Sequence, residues 1–486
     1  MNNKIFVTTS IPYVNARPHL GHALEFVQAD VVARFFREKG KDVYFLSGTD
    51  DNALKNVQAA EAAHLSIREW VEKHAQIFND LLRYLSVSNN DFIRTGIEER
   101  HIKGALKFWT SCNPSDVYKK KYKGLYCVGC EEFKLEKELI NGECIEHPQK
   151  KLEIIEEENY FFKLSRYENE LVRIIELGEL RIIPEARKNE VLSFIKAGLQ
   201  DFSISRSKER AKGWGVPVPH DPDQIMYVWF DALTNYVNAL GYAENEKNFR
   251  DYWENAENII HIIGKGISRF HAIYWPAMLL SAKMSLPKTL MVHGYITING
   301  QKISKTLGNV IDPFSLIEKY GEDRLRYYIL REFSPFEDGD FSEEKFKDRC
   351  NGDLANGLGN FASRVSTLAE KAGLFEYAHA PDSLIVERIE TTKKIVASKL
   401  AEYKFHEALA AIFELISFGD IYINEKKPWQ SNDKKVLYNL IVVLDSVALF
   451  LRPFIPHASE TITRHITWNS RSLLEVKKVE NLFPRI

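Results

Sequence analysis

Residues 4–50 read KIFVTTSIPYVNARPHLGHALEFVQADVVARFFREKGKDVYFLSGTD. Ile5 to Thr9 is rich in strand-forming residues. Leu24, Val27, Val31 and Phe35 then recur at helical spacing until Gly40 closes the run, and Val43 to Leu46 is a second short apolar strand. Strand, helix and strand in this span form a βαβ unit, which belongs to a parallel sheet. A related pattern returns much later: the run Ile259 to Ile263, the turn Gly264-Lys265-Gly266, an apolar helix from Ile267 to Leu280 and a strand from Leu290 to His293. Two such halves predict an α/β fold, a doubly wound Rossmann-like nucleotide-binding domain split by a long insertion.

The rest of the chain falls around that sheet. Residues 1–113 are expected to carry its first half and 223–300 its second. Residues 114–222, with a cysteine cluster, short β-like runs and the turn-rich segment Gly213 to Pro222, are expected to form a small separate insertion. Residues 301–345 follow as a loop-bearing region. From 346 to 486 strand signals fade and amphipathic helices predict an all-α bundle. A length of 486 residues accommodates about three domains, and 45% hydrophobic with 27% charged residues is ordinary globular composition, which excludes disorder and collagen. The longest apolar run, Leu440 to Leu451, falls short of the roughly 20 residues that cross a bilayer and contains Asp445. Nothing in Met1 to Lys4 resembles an export signal, so a cytoplasmic protein is expected. With 65 Lys+Arg against 67 Asp+Glu the net charge is −2, which by itself argues against a nucleic-acid partner.

Three clusters carry chemistry. His19-Leu20-Gly21-His22 stands where the first strand's loop enters the first helix, the place where phosphates meet a helix N-terminus in a doubly wound fold. Two imidazoles donate hydrogen bonds to phosphate oxygens, and Gly21 lets a base or ribose approach the backbone. By themselves they read equally well as two histidines facing each other across one helical turn. Lys302-Ile303-Ser304-Lys305-Thr306 follows the Asn299-Gly300 turn; its two lysines suit charge growing on a departing pyrophosphate, although a lone K-x-x-K is usually a solvated loop. Cys127-x2-Cys130, thirteen residues, then Cys144-x2-His147 is the spacing of a tetrahedral zinc site, and four filled positions make it structural. Of the five cysteines this leaves Cys112 and Cys350 as buried thiols.

Taken together and in this order, the first two clusters resemble the HIGH and KMSKS signatures of class I aminoacyl-tRNA synthetases. The surrounding text narrows the resemblance: Thr9-Ser10-Ile11-Pro12-Tyr13-Val14-Asn15, Gly48-Thr49-Asp50-Asp51, Trp229-Phe230-Asp231-Ala232, Phe270-His271-Ala272-Ile273-Tyr274-Trp275-Pro276 and Val292-His293-Gly294-Tyr295. This succession is similar to the methionyl-tRNA synthetases over essentially the whole chain.

The resemblance implies a ligase that activates L-methionine with ATP and Mg2+ and passes it to the 2′-hydroxyl of the terminal adenosine of tRNA(Met), initiator and elongator. It implies phosphate contacts from His19, Gly21, His22, Lys302, Ser304 and Lys305, with His19, His22, Lys302 and Lys305 catalytic. Ile11, Tyr13, Trp229, Ala232, Leu233, Tyr236 and His271 would enclose the methionine side chain, and Asp51 would hold its ammonium group with Asp50 beside it. Aromatic walls suit a thioether, which offers polarizability and little else. In the helical tail, Asn356, Asn360 and Arg364 at i, i+4 and i+8 fall on one face of a helix. The resemblance implies that Asn360, Arg364 and Trp429, with Asn356 close by, read the anticodon. The sequence departs from the common family pattern at Leu233 and Asn235 in the pocket wall, at His147 where cysteine is frequent, and at Ile303 and Thr306 in the second signature. It stops at Ile486, short of the dimerisation and RNA-binding domain of some relatives, so a monomer is expected.

Two other classes fit part of these residues. One is a class I synthetase for cysteine, leucine, isoleucine or valine; the other is a zinc-knuckle RNA-binding protein without catalysis. Residues 114–222 are too few for the editing insertions of the aliphatic enzymes, and a catalytic zinc for cysteine needs ligands spread over the active site. Against a non-catalytic protein, both signatures are intact in residue type.

Overall fold

The strand Lys4–Thr9 lies inside a six-stranded sheet whose order is Asp91–Arg94, Asp42–Thr49, Lys4–Thr9, Asn258–Gly264, Thr289–His293 and Arg181–Ile183. Lys4–Thr9 runs parallel to both neighbours, with Val7 opposite Phe45 on one side and Ile260 on the other. Asp42–Thr49 is parallel to Asp91–Arg94, and Thr289–His293 to Arg181–Ile183. Ile5 to Thr9 are all buried, as expected of a parallel strand covered on both faces. The sheet thus joins the two halves expected of a doubly wound domain and takes its edge strand, Arg181–Ile183, from within residues 114–222.

In this computed structural model, residues 3–486 are described except 128, 130–131, 135–138, 146–150, 303–309, 377–379, 432, 470–472 and 481. They divide into two units, one of residues 1–18, 40–80 and 89–292, the other of 19–39, 81–88 and 293–486. The first unit holds the six-stranded sheet and a smaller antiparallel sheet from the insertion, ordered Phe202–Ser203, Glu153–Phe162, Val117–Cys127 and Glu132–Lys134. There the basic run Lys119 to Lys123 lies along the acidic run Glu156 to Glu158, with Lys123 beside Glu156 at 3.4 Å. Such exposed pairs contribute little stability, up to about 1 kcal/mol each. The helix expected from Ile267 to Leu280 is broken into a 3-10 turn at Lys265–Ile267, a π turn at Phe270–Tyr274 and an α-helix at Trp275–Ser281. π turns inside helices are frequent at functional sites, and His271 sits inside this one.

The second unit contains the helix Leu20–Glu38 and, from Pro313 on, a run of helices that includes Glu322–Arg331, Asn360–Ala372, Ser383–Ala401, Phe405–Lys426 and Lys434–Leu451. Three short strands accompany them, Phe375–Glu376, Leu473–Val476 and Ile466–Trp468, too brief to leave a periodic signal. Arg326, with no exposed surface, is clamped at the centre of this unit. Its Nη2 meets Asp30 Oδ2 at 2.7 Å, and its other bonds go to the carbonyls of Leu85, Pro453 and Phe454. Among the described residues no helix is long and apolar enough to cross a membrane.

Candidate active site

The residues expected around a methionine side chain converge in the first unit. Tyr13 abuts Trp229 edge to face at 6.3 Å, and Trp229 lies flat on Phe270 with centroids 3.7 Å apart and 4° between planes. The indole edge also faces His271. Below them the Tyr236 hydroxyl is 2.7 Å from His271 Nε2, and His271 Nδ1 is 3.1 Å from the Ile267 carbonyl. A carbonyl only accepts, so Nδ1 carries the proton and Nε2 accepts from Tyr236. Ala232 and Leu233 are buried beside them, and Ile11 and Tyr13 are half-buried. Leu233, the position that departs from the family pattern, therefore stands in an apolar wall where its shape is compatible with burial. Asn235, the other departure, opens the next short helix and donates back to the Ala232 carbonyl of the helix Val228–Leu233 at 2.6 Å.

In the same unit a group of carboxylates stands at the carboxyl ends of adjacent strands, where ligands of doubly wound sheets bind. Gly48 is needed here, since a Cβ would collide with the Ile93 carbonyl. Asp51 is fully buried. Its Oδ1 accepts from Thr49 Oγ1 at 2.9 Å, its backbone N–H donates to Thr95 Oγ1, and its Oδ2 has no hydrogen-bond partner among the described residues. Burial pushes its pKa up to about 6, against the opposing pull of Arg94. Asp50 accepts from the Asn52 backbone at 3.1 Å, and Asn52 donates to Asp231 at 2.6 Å. Asp231 also accepts from His101 Nε2 at 2.9 Å. A buried carboxylate thus ties the helix carrying Trp229 to the segment carrying Asp51.

Sequence reasoning missed several of these residues. His261 interrupts the apolar run Ile259 to Ile263; its Nδ1 is 2.7 Å from Thr8 Oγ1 and its ring lies 4.3 Å from that of Tyr236. Burial and the nearby His271 hold its pKa well below the usual imidazole range, so it is neutral. A polar residue in the middle of a fully buried strand was the available signal. Arg94 gave a similar one, a charge at the C-terminal end of a sheet strand.

In the second unit, His19 and His22 cap the helix Leu20–Glu38 reciprocally. Gly21 N donates to His19 Nδ1 at 3.1 Å and His19 N to His22 Nδ1 at 3.0 Å, with the rings stacked at 3.9 Å. The two histidines thus face each other across the first helical turn. Because each Nδ1 accepts from a backbone N–H, each neutral ring carries its proton on Nε2. Burial, then the neighbouring His19, lowers the His22 pKa well below the usual range. Gln301–Lys302 pairs with Ile296–Ile298 through a turn in which Asn299 and Gly300 have φ of 53° and 71°, the left-handed values of a tight hairpin. Ser304 and Lys305 lie outside the described residues.

Cys127 and Cys144 are buried, while Cys130 and His147 fall outside the described residues. Among the described residues no group of three or more His, Cys, Asp or Glu is placed to hold a metal. In the helical region, Asn356 lies in a π-helical stretch, Cys350–Gly359, and Asn360 opens the following α-helix. Asn356, Asn360 and Ser363 line a cleft of about 440 Å³ with Phe483 and Arg485, and Arg485 Nη2 donates to Asn356 Oδ1 at 2.8 Å. Arg364 is held by Asp420 at 3.0 Å and Asn424 at 2.7 Å. Trp429 is half-exposed.

The chain matches two family models, tRNA synthetases class I (M) over residues 5–153 and 134–366, and the anticodon-binding domain of tRNA ligase over 382–482. It is 41% identical to the methionine--tRNA ligase of Thermotoga maritima over 484 residues, 96% of this chain and 76% of that one. Identity to the methionine--tRNA ligase of Brucella suis is also 41%, over 94% of this chain and 91% of that one. Among solved structures it is similar to Mycobacterium tuberculosis methionyl-tRNA synthetase in complex with methionyl-adenylate. That match has a TM-score of 0.91 and 35% identity, covering 99% of this chain and all of that one.

Proposed function

The chain belongs to the methionyl-tRNA synthetases of class I, and from this premise we propose how its own residues carry out the reaction. That reaction is activation of methionine by ATP to methionyl-adenylate with release of pyrophosphate, followed by transfer of the methionyl group to tRNA. Asp51 Oδ2 receives the substrate ammonium. Tyr13, Trp229, Ala232, Leu233 and Ile11 enclose the side chain, and the Tyr236–His271 pair faces the thioether. The buried Asp51 oxygen, without a hydrogen-bond partner among the described residues and set among the strand ends of the unit that holds the aromatic cluster, carries this reading.

No side chain acts as a covalent nucleophile. The methionine carboxylate attacks the α-phosphorus and the bond to pyrophosphate breaks, so the protein contributes placement and charge. His19 and His22 donate from Nε2 to phosphate oxygens, Gly21 leaves room for the nucleotide, and Lys302, Ser304 and Lys305 meet the pyrophosphate side. Mg2+ enters with ATP and neutralises phosphate charge. Asn356, Asn360, Arg364 and Trp429 read the anticodon, the amides and guanidinium by hydrogen bonds and the half-exposed indole by stacking. The enzyme acts as a monomer in the cytoplasm on initiator and elongator tRNA(Met).

The test is ATP–pyrophosphate exchange with each of the twenty amino acids in turn. Methionine alone is expected to drive rapid exchange, because each extra or missing methylene costs a competing amino acid about 1–3 kcal/mol in a pocket that selects by shape. Preference for another amino acid, or no exchange with methionine, overturns the assignment.

Cys127, Cys130, Cys144 and His147 supply the soft donor set of a closed zinc site, and the two described thiols are buried as such a site requires. Bound zinc would clamp the small insertion and take no part in the chemistry. Metal analysis is expected to find about one zinc per chain, lost in Cys127→Ser; an unchanged metal content in that variant would sink the site.

A further inference from the structure

We propose that Arg94 is a positioning residue for methionine binding, its guanidinium holding the Asp51 carboxylate ionised without occupying the oxygen that receives the ammonium. This rests on the reading of Asp51 as the ammonium acceptor.

Arg94 ends the edge strand Asp91–Arg94, and its Nη2 stands 3.4 Å from Asp51 Oδ2. The distance is short for charge interaction, yet the contact is not a hydrogen bond. Nε and Nη2 of Arg94 are buried with no hydrogen-bond partner among the described residues, and so is Asp51 Oδ2. Buried groups left unsatisfied are costly. Here they make sense in terms of the ligand. A guanidinium in full hydrogen-bond contact would take one of the two lone-pair sites of Oδ2, whereas one held slightly off stabilises the negative charge and leaves both free for an incoming ammonium. The rest of the carboxylate is fixed by Thr49 and by the Thr95 contact to its backbone.

The charge needs such support. Asp51 is fully buried, and burial moves its pKa up to about 6 even though Arg94, the Thr49 hydroxyl, the Gly96 backbone N–H and His101 act in the opposite direction. The other charged or titratable groups packed around it are Asp50 beside it in the chain, His101 on the helix Glu99–Ser111, and Asp231 on the helix Val228–Leu233. His101 is engaged with Asp231 at 2.9 Å and lends Asp51 less support than Arg94 does. Removing the guanidinium raises the pKa further, so at neutral pH a larger share of Asp51 is protonated and fails to attract the ammonium. The lost affinity returns as pH rises.

The experiment measures methionine-dependent exchange at saturating ATP for the wild type, Arg94→Met, Arg94→Lys and Asp51→Asn over about pH 5.5 to 8.5. Arg94→Met is expected to raise KM for methionine roughly tenfold at neutral pH while kcat stays within about twofold, and to move the acid limb of kcat/KM up by about one pH unit. Arg94→Lys should keep its limb near that of the wild type. Arg94→Gln, neutral and of similar length, gives the same measurement should the methionine variant not fold. Asp51→Asn should raise KM at every pH. If it does not, the ammonium assignment itself falls. If it does, but neither neutral Arg94 variant displaces the limb, the role of Arg94 alone is overturned.

Discussion

Lys305→Ala is expected to lower methionine-dependent ATP–pyrophosphate exchange by about 10²–10³-fold while methionine affinity stays within about twofold of its starting value. Charge on the β- and γ-phosphates grows as the bond to the α-phosphorus breaks, so a cation placed there is worth more in the transition state than in the ground state. In the proposed site methionine is held by other residues, Asp51 and the aromatic cluster around Trp229, which the substitution does not touch. The loss should therefore appear in kcat, and direct methionine binding, followed by tryptophan fluorescence, should be nearly unchanged. Lys305 is a cleaner test than either signature histidine. His19 and His22 each accept a backbone N–H that caps the helix Leu20–Glu38, so their removal mixes a loss of catalysis with about 1 kcal/mol of helix stability. An exchange rate for Lys305→Ala equal to that of the wild type would remove the lysine from the mechanism.

The parallel sheet was legible because its buried strands are long enough to show as apolar runs, and the helix between the first two because its apolar face repeats. Arg181–Ile183 was not legible. Three residues, of which one is charged, carry no period, and only pairing with Thr289–His293 makes them a strand. The break at Phe270–Tyr274 was hidden for a different reason, since Phe-His-Ala-Ile-Tyr has a composition that an α-helix and a π turn share. The candidate residues His19, His22, Asp51 and Trp229 drew attention because their types are unusual where they stand. Two polar residues that the structure places beside Asp51 and Tyr236 did not. Arg94 and His261 are single polar residues whose meaning depends on what faces them across the sheet, which no local window contains. The near-neutral net charge is uninformative in the same way, because a sum over the whole chain says nothing of where the basic residues lie.

Arg326→Met is expected to destabilise the unit that contains it by about 3–5 kcal/mol, the cost of breaking a buried, hydrogen-bonded ion pair by removing one partner. The guanidinium has no exposed surface and spends its donors on four acceptors: Nε on the Phe454 carbonyl at 2.7 Å, Nη1 on the Leu85 carbonyl at 2.8 Å, and Nη2 on Asp30 Oδ2 at 2.7 Å and the Pro453 carbonyl at 2.9 Å. Methionine fills much of the volume and satisfies none of these, so three buried carbonyls lose a donor. Lysine restores a charge but not a planar fork, and Arg326→Lys should recover only part of the loss. Asp30 is not left wholly uncompensated, because Arg34 Nε donates to it at 2.7 Å and Ser88 donates from both its backbone and its hydroxyl.

This geometry also sets the pH dependence. Burial works to raise the Asp30 pKa, but Arg326 and Arg34 prevail and hold it below the usual carboxylate value. A carboxylate depressed in the folded state contributes stability that is complete above its unfolded pKa of about 4 and is lost as pH falls through the folded value. Without Arg326 that depression shrinks or reverses, and acid unfolding should begin at a higher pH than in the wild type. Urea midpoints read by a probe in this unit, for Arg326→Met, Asp30→Asn and the double variant, separate pair from parts. The double variant should lose less than the sum of the two, because Asp30→Asn removes the buried charge that would otherwise face the missing cation. Strict additivity, or a loss below about 1 kcal/mol for Arg326→Met, would show that the clamp bears no weight in holding the helix Leu20–Glu38 to the helices that follow.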